Sequence, residues 1–345
     1  MKKKIFIIGS GWVTKGFLDT IDKNLYDINV ISNNEQFIYH PFLVNSIFNN
    51  EKISFNLKNK YKFINFKKET AIDFDFNNNK IFTQLNNNYQ YDYLILCHGS
   101  IINDFNIDGV KQNCFFLKND KDSIILKNYI NDLPNDSNIA VIGCGLTGSE
   151  IVGHLLDVNK FNIYAIDGMN LPLKCFNHYF QKYTYNHWKQ NKINLYFNSF
   201  VKKIEKNKII LNDLKEINFD LAIWCGGNKI NPLSQLINKK LNLNNNYGIP
   251  IDKYLKINKF NNIWAAGDCT YSNINSNEQI AYQQGIYLGK TFNKKFNNIE
   301  PFKYKNNGQV CYIGNYNSLY ENENYNMKGK LGFIMMKIIK IYLKI

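Results

Sequence analysis

Two segments of the sequence share the same order of features: an apolar strand pattern, a glycine-rich turn and a helical pattern. They occupy residues 5–14 and 139–150, about 135 residues apart. In dinucleotide-binding units, glycines in this turn let the backbone approach a pyrophosphate, and the helix N-terminus adds partial positive charge. The repetition therefore predicts an α/β fold with two Rossmann-like dinucleotide-binding units.

The first turn is an imperfect version of this fingerprint. Gly9 permits the tight turn and Gly11 permits close approach to a phosphate, but Thr14 occupies the third glycine position. We therefore expect the helix and the strand to lie slightly farther apart here. The next strand pattern ends at Ser32, which is neutral but has a hydroxyl that can hydrogen-bond a ribose.

The second turn contains all three fingerprint glycines, Gly143, Gly145 and Gly148. The following strand pattern ends at Asp167, 24 residues beyond Gly143, where a carboxylate binds a ribose 2′-hydroxyl. Because a carboxylate at this point repels a 2′-phosphate, the sequence favours NAD over NADP. A Rossmann-like unit that binds no nucleotide is the alternative for this segment.

A third segment distinguishes a fused dehydrogenase from a flavoprotein that holds FAD in one unit and NADH in the other. Residues 260–268 form a short strand pattern that ends in Gly267 and Asp268, before a helical pattern. Asp268 is placed to hydrogen-bond the ribitol of an FAD whose ADP end lies on the first unit. The three segments in this order favour the flavoprotein.

Composition argues against several other classes of protein. The 42 residues counted as Lys or Arg are all Lys, they are scattered, and the net charge is +14. Without Arg for bidentate guanine recognition, we expect no nucleic acid partner. Seven cysteines without a CxxC pair, and histidines without ligand spacing, argue against a disulfide framework, a dithiol redox centre and a metal site. We also expect no membrane-spanning helix, and no signal peptide or presequence is visible.

The expected domain organisation places one unit inside the other. A polar, proline-containing connector at residues 131–137 precedes the second fingerprint. We assign residues 1–115 and 253–299 to an FAD-binding domain, residues 116–252 to an NADH-binding domain, and residues 300–345 to a C-terminal region.

The last 15 residues, 331–345, combine apolar side chains with Lys337, Lys340 and Lys344, which share one helical face. This segment is too short to span a bilayer, but it suits an amphipathic helix that lies on an anionic membrane surface. Packing of the same helix against another subunit is the alternative.

Taken along nearly the whole chain, these motifs resemble the two-dinucleotide-binding flavoproteins of the pyridine nucleotide-disulfide oxidoreductase superfamily, which have a glutathione-reductase-like architecture. Within them, the motifs resemble those of the type II, or alternative, NADH:quinone oxidoreductases. The features that carry this resemblance are Trp12 within the first fingerprint, a flavin-side loop at residues 39–43, two return strands before Gly99 and Gly227, and a quinone-pocket helix at residues 278–288.

The resemblance implies roles for individual residues. Gln279 and Gln283 lie four apart on one helical face and are implied to hydrogen-bond a quinone, while Glu150 is implied to steer the nicotinamide or relay a proton. A set of glycines and polar residues is implied to bind the cofactors FAD and NADH: Gly9, Gly11, Trp12, Ser32, Gly99, Asp268, Gly143, Gly145, Gly148, Asp167 and Gly227.

The implied activity passes a hydride from NADH to FAD and then two electrons to ubiquinone or menaquinone, without proton pumping. It implies a peripheral protein of the mitochondrial inner membrane or bacterial cytoplasmic membrane, and a homodimer. The chain departs from the family pattern at Thr14, at residues 225–227 and at Glu278, and it ends before much of the family's C-terminal membrane region. These departures put membrane affinity and dimer contacts most in question.

Three alternatives remain at this level. Ser276 and Gln279 fit a capping box, so one alternative for the helix that begins near them is a capped surface helix with no role in a pocket. A sulfide:quinone or other quinone-coupled flavoprotein would use a different electron donor, and would need cysteines at the flavin. A low-turnover sensor would bind FAD and NADH without passing electrons to a quinone.

Overall fold

The computed structural model describes residues 1–49, 51–243, 247–271 and 277–343. The strands within these ranges are β1 (Lys3–Ile8), β2 (Tyr26–Ile31), β3 (Gln36–Ile38), β4 (Ser54–Asn56), β5 (Ile64–Lys67), β6 (Ala71–Asp75), β7 (Lys80–Thr83), β8 (Asn88–Gln90), β9 (Tyr93–Leu96), β10 (Ser100–Ile102), β11 (Asn138–Ile142), β12 (Asn162–Ile166), β13 (Asn194–Tyr196), β14 (Val201–Glu205), β15 (Lys208–Leu211), β16 (Glu216–Asn218), β17 (Leu221–Trp224), β18 (Asn228–Ile230), β19 (Ile249–Pro250), β20 (Ile263–Ala265), β21 (Thr270–Tyr271), β22 (Gln309–Gly314), β23 (Asn317–Glu321) and β24 (Asn326–Met327).

The α-helices of the same ranges are α1 (Trp12–Leu18), α2 (Leu43–Asn49), α3 (Leu57–Lys60), α4 (Val110–Asn113), α5 (Asp120–Asp132), α6 (Leu146–Val158), α7 (His178–Gln190), α8 (Pro232–Lys240), α9 (Glu278–Asn293) and α10 (Gly329–Leu343). Short 3₁₀ turns occur at His40–Phe42 and Gly267–Cys269.

The chain divides into two compact units, each assembled from three separate segments. The first unit contains residues 1–39, 54–101 and 228–305. The second unit contains residues 40–53, 102–227 and 306–345.

These boundaries differ from the expected ones. Residues 228–252 belong to the first unit, because α8 packs against β6 and β19 pairs with β21. The segment after residue 305 belongs to the second unit, because β22 packs against α6. Contacts between residues far apart in the chain set both boundaries, and no local pattern indicates them.

The first unit is built on a parallel sheet with strand order β20-β9-β1-β2-β5. Alternate residues of β1 are buried on opposite faces of this sheet: Ile5 and Ile7 pack in the same apolar cluster as helices α1 and α9, and Phe6 and Ile8 pack in the cluster of α8. Burial on both faces explains why these strands read as continuous apolar runs.

The second unit repeats the arrangement with strand order β13-β12-β11-β17, again parallel. Ile139 and Val141 of β11 pack with α6, and Ala140 and Ile142 pack on the opposite face. In both units a glycine turn follows the C-terminal end of a central strand. The predicted α/β fold with two Rossmann-like units is confirmed.

The second unit also contains the antiparallel sheet β22-β23-β24 and the helix α10, which packs against β23. Close packing occurs at Gly332, where an added Cβ would lie 2.1 Å from the carbonyl oxygen of Ser318. In the part of the chain that the structure describes, no helix is both long enough and apolar enough to cross a bilayer.

Candidate functional site

The first glycine turn directly follows β1. Gly9 has a φ of +123°, and a Cβ there would lie 2.4 Å from the carbonyl oxygen of Cys97, so only glycine fits. Gly11 is the N-cap of α1, and a Cβ there would meet no heavy atom within 4 Å. The turn therefore presents open space beside the start of a helix, as a phosphate-binding turn requires.

Thr14 shows how the imperfect fingerprint is accommodated. Its side chain is fully buried, and its Oγ1 donates a hydrogen bond to the carbonyl oxygen of Gly9 at 2.7 Å. At the corresponding position of the second unit, a Cβ on Gly148 would lie only 1.8 Å from the carbonyl oxygen of Gly143. Because the first unit has room for a whole threonine side chain, its helix start lies farther from the turn.

Other predicted FAD-binding residues lie in the same unit. The hydroxyls of Ser32 and Ser10 are 3.0 Å apart, which places a hydrogen-bonding pair at the end of β2. The Ser100 hydroxyl donates to the Asp268 carboxylate at 3.0 Å, and Gly99, the residue before Ser100, has φ +71° with open space at its Cβ position. The indole Nε1 of Trp12 is buried and has no hydrogen-bond partner among the described residues.

The second turn follows β11 and has the same construction. Gly143 has a φ of +93°, and a Cβ there would lie 2.4 Å from the carbonyl oxygen of Cys225. The backbone beside Gly145 is open, with no heavy atom within 4 Å of a Cβ. Gly227, after β17, is also open and has φ +93°.

Asp167 lies at the end of β12 and holds this turn. Its carboxylate accepts hydrogen bonds from the backbone N–H of Cys144 at 2.6 Å and from that of Met169 at 2.7 Å. Each carboxylate oxygen keeps a second lone pair, so Asp167 can still accept a bond from a ribose hydroxyl.

Phe200 is a residue that the sequence did not single out. Its ring lies against Gly168, where a Cβ would be 2.5 Å from the ring, yet the residue is 60% exposed. Backbone hydrogen bonds from the N–H of Asn198 to the carbonyl of Met169 and from the N–H of Ser199 to the carbonyl of Asp167 hold this segment beside residues 167–169. The contact joins residues more than thirty positions apart, so the sequence did not predict it. The sequence near β13 shows only that an aromatic residue follows this strand.

The glutamines of helix α9 differ in their hydrogen-bond partners and in their burial. The amide of Gln283 is paired with the backbone of Lys305, donating to its carbonyl at 2.8 Å and accepting from its N–H at 2.9 Å. Gln284 is buried, and its Oε1 accepts the N–H of Gly267 at 2.7 Å, next to Asp268. Gln279 is half-buried near the helix start. The sequence therefore missed Gln284, the glutamine that contacts the Gly-Asp turn.

The start of α9 is capped by Asn277, whose side chain accepts the backbone N–H of Ile280 at 2.9 Å. Ser276, the expected partner in a capping box, lies outside the described residues. Helix α9 approaches α1 closely at Gly285, because a Cβ on Gly285 would lie 2.1 Å from the carbonyl oxygen of Val13 in α1.

Glu150 lies half-buried on α6, two residues after Gly148. Burial and then the Glu150 carboxylate raise the pKa of the Cys311 thiol well above its usual range. All seven cysteines are free thiols. Among the described residues, no group of three or more His, Cys, Asp or Glu side chains is arranged to hold a metal ion.

These observations fit two dinucleotides. Open backbone at Gly11 and Gly99 and the Asp268 carboxylate give the first unit the space and the acceptor that FAD would need. The second unit offers open backbone at Gly145 and the Asp167 carboxylate for NADH.

Relatives of this chain include a probable mitochondrial NADH-ubiquinone oxidoreductase of Schizosaccharomyces pombe, 26% identical over 85% of this chain and 62% of that protein. A probable NADH dehydrogenase of Dictyostelium discoideum is 26% identical over 96% of this chain and 83% of that protein. The chain thus spans less than two thirds of the first relative and most of the second.

The fold is similar to that of NDH2 from Plasmodium falciparum in complex with NADH, with a TM-score of 0.91, 23% identity and coverage of 99% of this chain and 95% of that chain. It is also similar to the sulfide:quinone oxidoreductase of Aquifex aeolicus, with a TM-score of 0.80, 17% identity and coverage of 99% and 90%. The family model described as pyridine nucleotide-disulphide oxidoreductase matches residues 3–285, a range that includes both glycine turns and the sheets that carry them. This chain therefore belongs to that family.

Proposed function

We propose that the chain is an FAD-dependent NADH:quinone oxidoreductase of the type II, non-proton-pumping class. The reaction is NADH + H⁺ + quinone → NAD⁺ + quinol. The observation that carries the proposal is the presence of a glycine turn with open backbone, at Gly11 and at Gly145, in each of the two units. Such a chain has room for two dinucleotides, and the relatives named as NADH dehydrogenases support NADH as one of them.

The first unit's residues would hold FAD, which when bound supplies the two-electron chemistry that no side chain of this protein provides. They are Gly9, Gly11, Trp12, Ser32, Gly99 and Asp268. The second unit's residues would hold NADH, with Asp167 orienting its adenosine ribose. They are Gly143, Gly145, Gly148, Asp167 and Gly227.

For the quinone we propose hydrogen bonds from Gln279 and Gln283. Gln283 remains able to serve because its amide nitrogen carries two hydrogens, of which the Lys305 carbonyl takes one. Glu150 stays the candidate for steering the nicotinamide. Ubiquinone is favoured over menaquinone as the acceptor, since the relatives bear that quinone in their names.

A sulfide:quinone oxidoreductase is the second candidate, favoured by the similar fold of the Aquifex enzyme. Sulfide chemistry at a flavin uses thiolates or disulfides. Burial raises the pKa of Cys97 to about 12 and also raises that of Cys269, so both stay as thiols near neutral pH. The chemistry of these thiols therefore favours NADH as the electron donor.

The test mixes the flavin-loaded protein anaerobically with one equivalent of NADH and then with a short-chain quinone. We expect the visible flavin absorption to bleach with NADH and to recover promptly with the quinone. Bleaching by sulfide but not by NADH would establish the second candidate. Bleaching by NADH without recovery would indicate a low-turnover sensor, and no response to either donor would contradict both oxidoreductase proposals.

Removing the charge of Asp167 should weaken discrimination against NADPH. In Asp167→Asn we expect the ratio of kcat/KM for NADPH to that for NADH to rise by roughly tenfold or more, since the repulsion of a 2′-phosphate disappears. The control is Asp213→Asn, because Asp213 is an exposed carboxylate on the β15–β16 turn. This substitution makes the same change in net charge and should leave the ratio unaltered. An unchanged ratio in Asp167→Asn would place the ribose elsewhere.

We also propose that α10 attaches the protein peripherally to an anionic membrane surface. One face of this helix is packed, with Met336 buried, while Leu331, Ile334, Ile338 and Ile341 form an exposed apolar stripe at helical spacing. Lys337 is exposed beside the stripe, and Lys340 donates to Asn45 at 2.7 Å; Lys344 lies outside the described residues. Lysines beside an apolar stripe fit anionic headgroups better than they fit a dry subunit interface.

Replacing two stripe residues should release the protein from vesicles. For Ile334→Ser with Ile338→Ser we expect partition onto vesicles containing anionic lipid to fall by about tenfold or more. Leu85→Ser with Leu214→Ser removes similar exposed apolar groups elsewhere and should bind as the parent does. Unchanged vesicle binding, together with dissociation of a dimer in light scattering, would instead assign the stripe to a second copy of the chain.

A further inference from the structure

The turn between β22 and β23 places a tyrosine where this type of turn favours glycine. The two strands pair through Gly314 and Asn317, so Asn315 and Tyr316 form a two-residue hairpin loop. Their φ angles are +55° and +56°, which is the type I′ conformation. This turn favours asparagine followed by glycine, because the left-handed conformation strains a residue that has a bulky side chain. The loop has the asparagine, but Tyr316 occupies the glycine position.

The side chain of Tyr316 has little packing to compensate for this strain. The residue is 69% exposed. Its ring contacts the ring of Phe333 in α10, with the centroids 5.6 Å apart and the ring planes at 86°. A large aromatic group that is held in the left-handed region and is mostly exposed adds little to the stability of the fold by itself. Such a residue indicates a surface that makes a further contact.

Hydrogen bonds hold the backbone of this loop in place. The N–H of Asn315 donates to the Asp157 carboxylate at 2.6 Å, and its side-chain amide donates to Asn191 at 2.8 Å. The N–H of Tyr316 donates to the hydroxyl oxygen of Tyr312 at 3.2 Å, and the Tyr312 hydroxyl donates to the second oxygen of Asp157. The exposed ring is therefore presented by a fixed loop, which avoids the entropic cost of ordering the loop on binding.

Phe333 connects this loop to the apolar stripe of α10. With 3.6 residues per turn, the order around the helix is Phe333, then Lys337 and then the stripe. The Lys337 ammonium lies over the Phe333 ring, 5.3 Å from its centroid. The hairpin also holds the start of the same helix, since the side chain of Asn317 accepts the N–H of Gly329 at 2.9 Å. Tyr316, Lys337 and the stripe thus belong to one continuous surface of the second unit.

We propose that the tip of the β22–β23 hairpin is a second membrane contact, in which the ring of Tyr316 enters the headgroup region of an anionic bilayer beside α10. This inference rests on the proposed attachment of α10 to a membrane. Tyrosine suits that depth, because its ring is apolar while its hydroxyl stays hydrated. Lys337 suits anionic headgroups, whereas lysine is depleted from the core of protein interfaces. This chemistry favours a bilayer over a second copy of the chain.

Glycine at position 316 tests the proposal with two readouts. Tyr316→Gly removes the ring and relieves the left-handed strain, so the thermal unfolding midpoint should not fall. Partition onto vesicles of equal parts phosphatidylcholine and phosphatidylglycerol should fall roughly fivefold. This difference should persist at high salt, which screens the lysines but not the ring.

Leu214 provides the matched control. It is also 69% exposed, it also has a positive φ, of +66°, and it lies in the same unit. Leu214→Gly therefore removes a large exposed side chain from the same type of backbone conformation. Its thermal midpoint should likewise not fall, but its partition onto the vesicles should equal that of the parent.

Tryptophan at position 316 reports the contact by fluorescence. Tyr316→Trp should partition at least as well as the parent, because tryptophan is also suited to the headgroup region. The emission it adds to that of the parent should shift to shorter wavelength on vesicles, and lipids with a spin label at the headgroup should quench it. Leu214→Trp should show neither change.

The outcomes are distinguishable. A parent protein that does not partition onto these vesicles would contradict the proposed attachment of α10 itself. A parent that binds, with Tyr316→Gly binding equally well and Tyr316→Trp unquenched, would overturn this inference alone. Parental vesicle binding by Tyr316→Gly, combined with weaker self-association in light scattering, would also overturn it and would assign the hairpin tip to a subunit contact.

Discussion

Alanine at Gly143 should destabilise the protein severely, whereas alanine two residues later, at Gly145, should leave stability unchanged and impair NADH binding. At Gly143 the new Cβ would lie 2.4 Å from the carbonyl oxygen of Cys225, and the backbone has φ +93°. The left-handed conformation alone costs an alanine about 1–2 kcal/mol, and displacing a backbone carbonyl adds to this. We expect a loss of at least about 3 kcal/mol in the free energy of unfolding, a large part of the total for a typical domain.

Gly145 is the matched control within the same turn. Its φ is −71°, which any residue adopts, and no heavy atom lies within 4 Å of a Cβ. The new methyl group would occupy only the space that a pyrophosphate needs, so we expect an unchanged unfolding midpoint and a KM for NADH at least about tenfold higher. Calorimetry and steady-state kinetics on both variants check the pair. A Gly145→Ala variant with parental KM would contradict the placement of NADH at this turn.

Gly285→Ala in helix α9 should both destabilise the first unit and reduce its FAD content. The added Cβ would lie 2.1 Å from the carbonyl oxygen of Val13 and 2.9 Å from the backbone nitrogen of Phe17, so α1 must move away. Alanine is favoured over glycine in a helix interior by about 1 kcal/mol, but overpacking against backbone costs more, and we expect a net loss of about 2 kcal/mol or more. Because α1 begins beside Gly11, its displacement also disturbs the proposed FAD turn.

The measurement for Gly285→Ala is the denaturant midpoint together with the ratio of flavin to protein after purification. Lys290 lies on the same helix at an exposed position, so Lys290→Ala is the control. It should match the parent in both the denaturant midpoint and the flavin content. A Gly285→Ala variant with a higher midpoint would mean that helix propensity outweighs the contact with α1. In that case glycine at position 285 would not be a packing requirement.

Much of the fold was predictable because the relevant signals are local. A buried parallel strand is a short apolar run, and the glycine turn follows it within a few residues, so residues 5–14 and 139–150 each contain a complete strand–turn–helix unit. The sequence also showed that Thr14 replaces the third fingerprint glycine, but it did not predict the hydrogen bond from the Thr14 hydroxyl to the Gly9 carbonyl. The family resemblance added assignments for Gln279, Gln283 and Glu150, which stay predictions.

The candidate site was less predictable, since its details depend on contacts between distant segments. Gln283 and Gln284 are neighbours in the sequence, yet one pairs with the backbone of Lys305 and the other binds the N–H of Gly267. Which of two adjacent amides turns inward depends on the exact rotation of α9 against its neighbours. A repeating helical pattern with several polar residues does not specify that rotation.

The sequence by itself determined that this chain forms two glycine-turn units on parallel sheets, because the backbone conformation at Gly9 and Gly143 and the burial of the preceding strands are encoded within a few residues. Only the tertiary structure decided where the units begin and end, that Phe200 lies against Gly168, and that the ring of His98 meets the hydroxyl of Ser234. The physical reason is that these contacts join residues 32 to 136 positions apart, where position is set by packing of whole elements and not by local conformational preference.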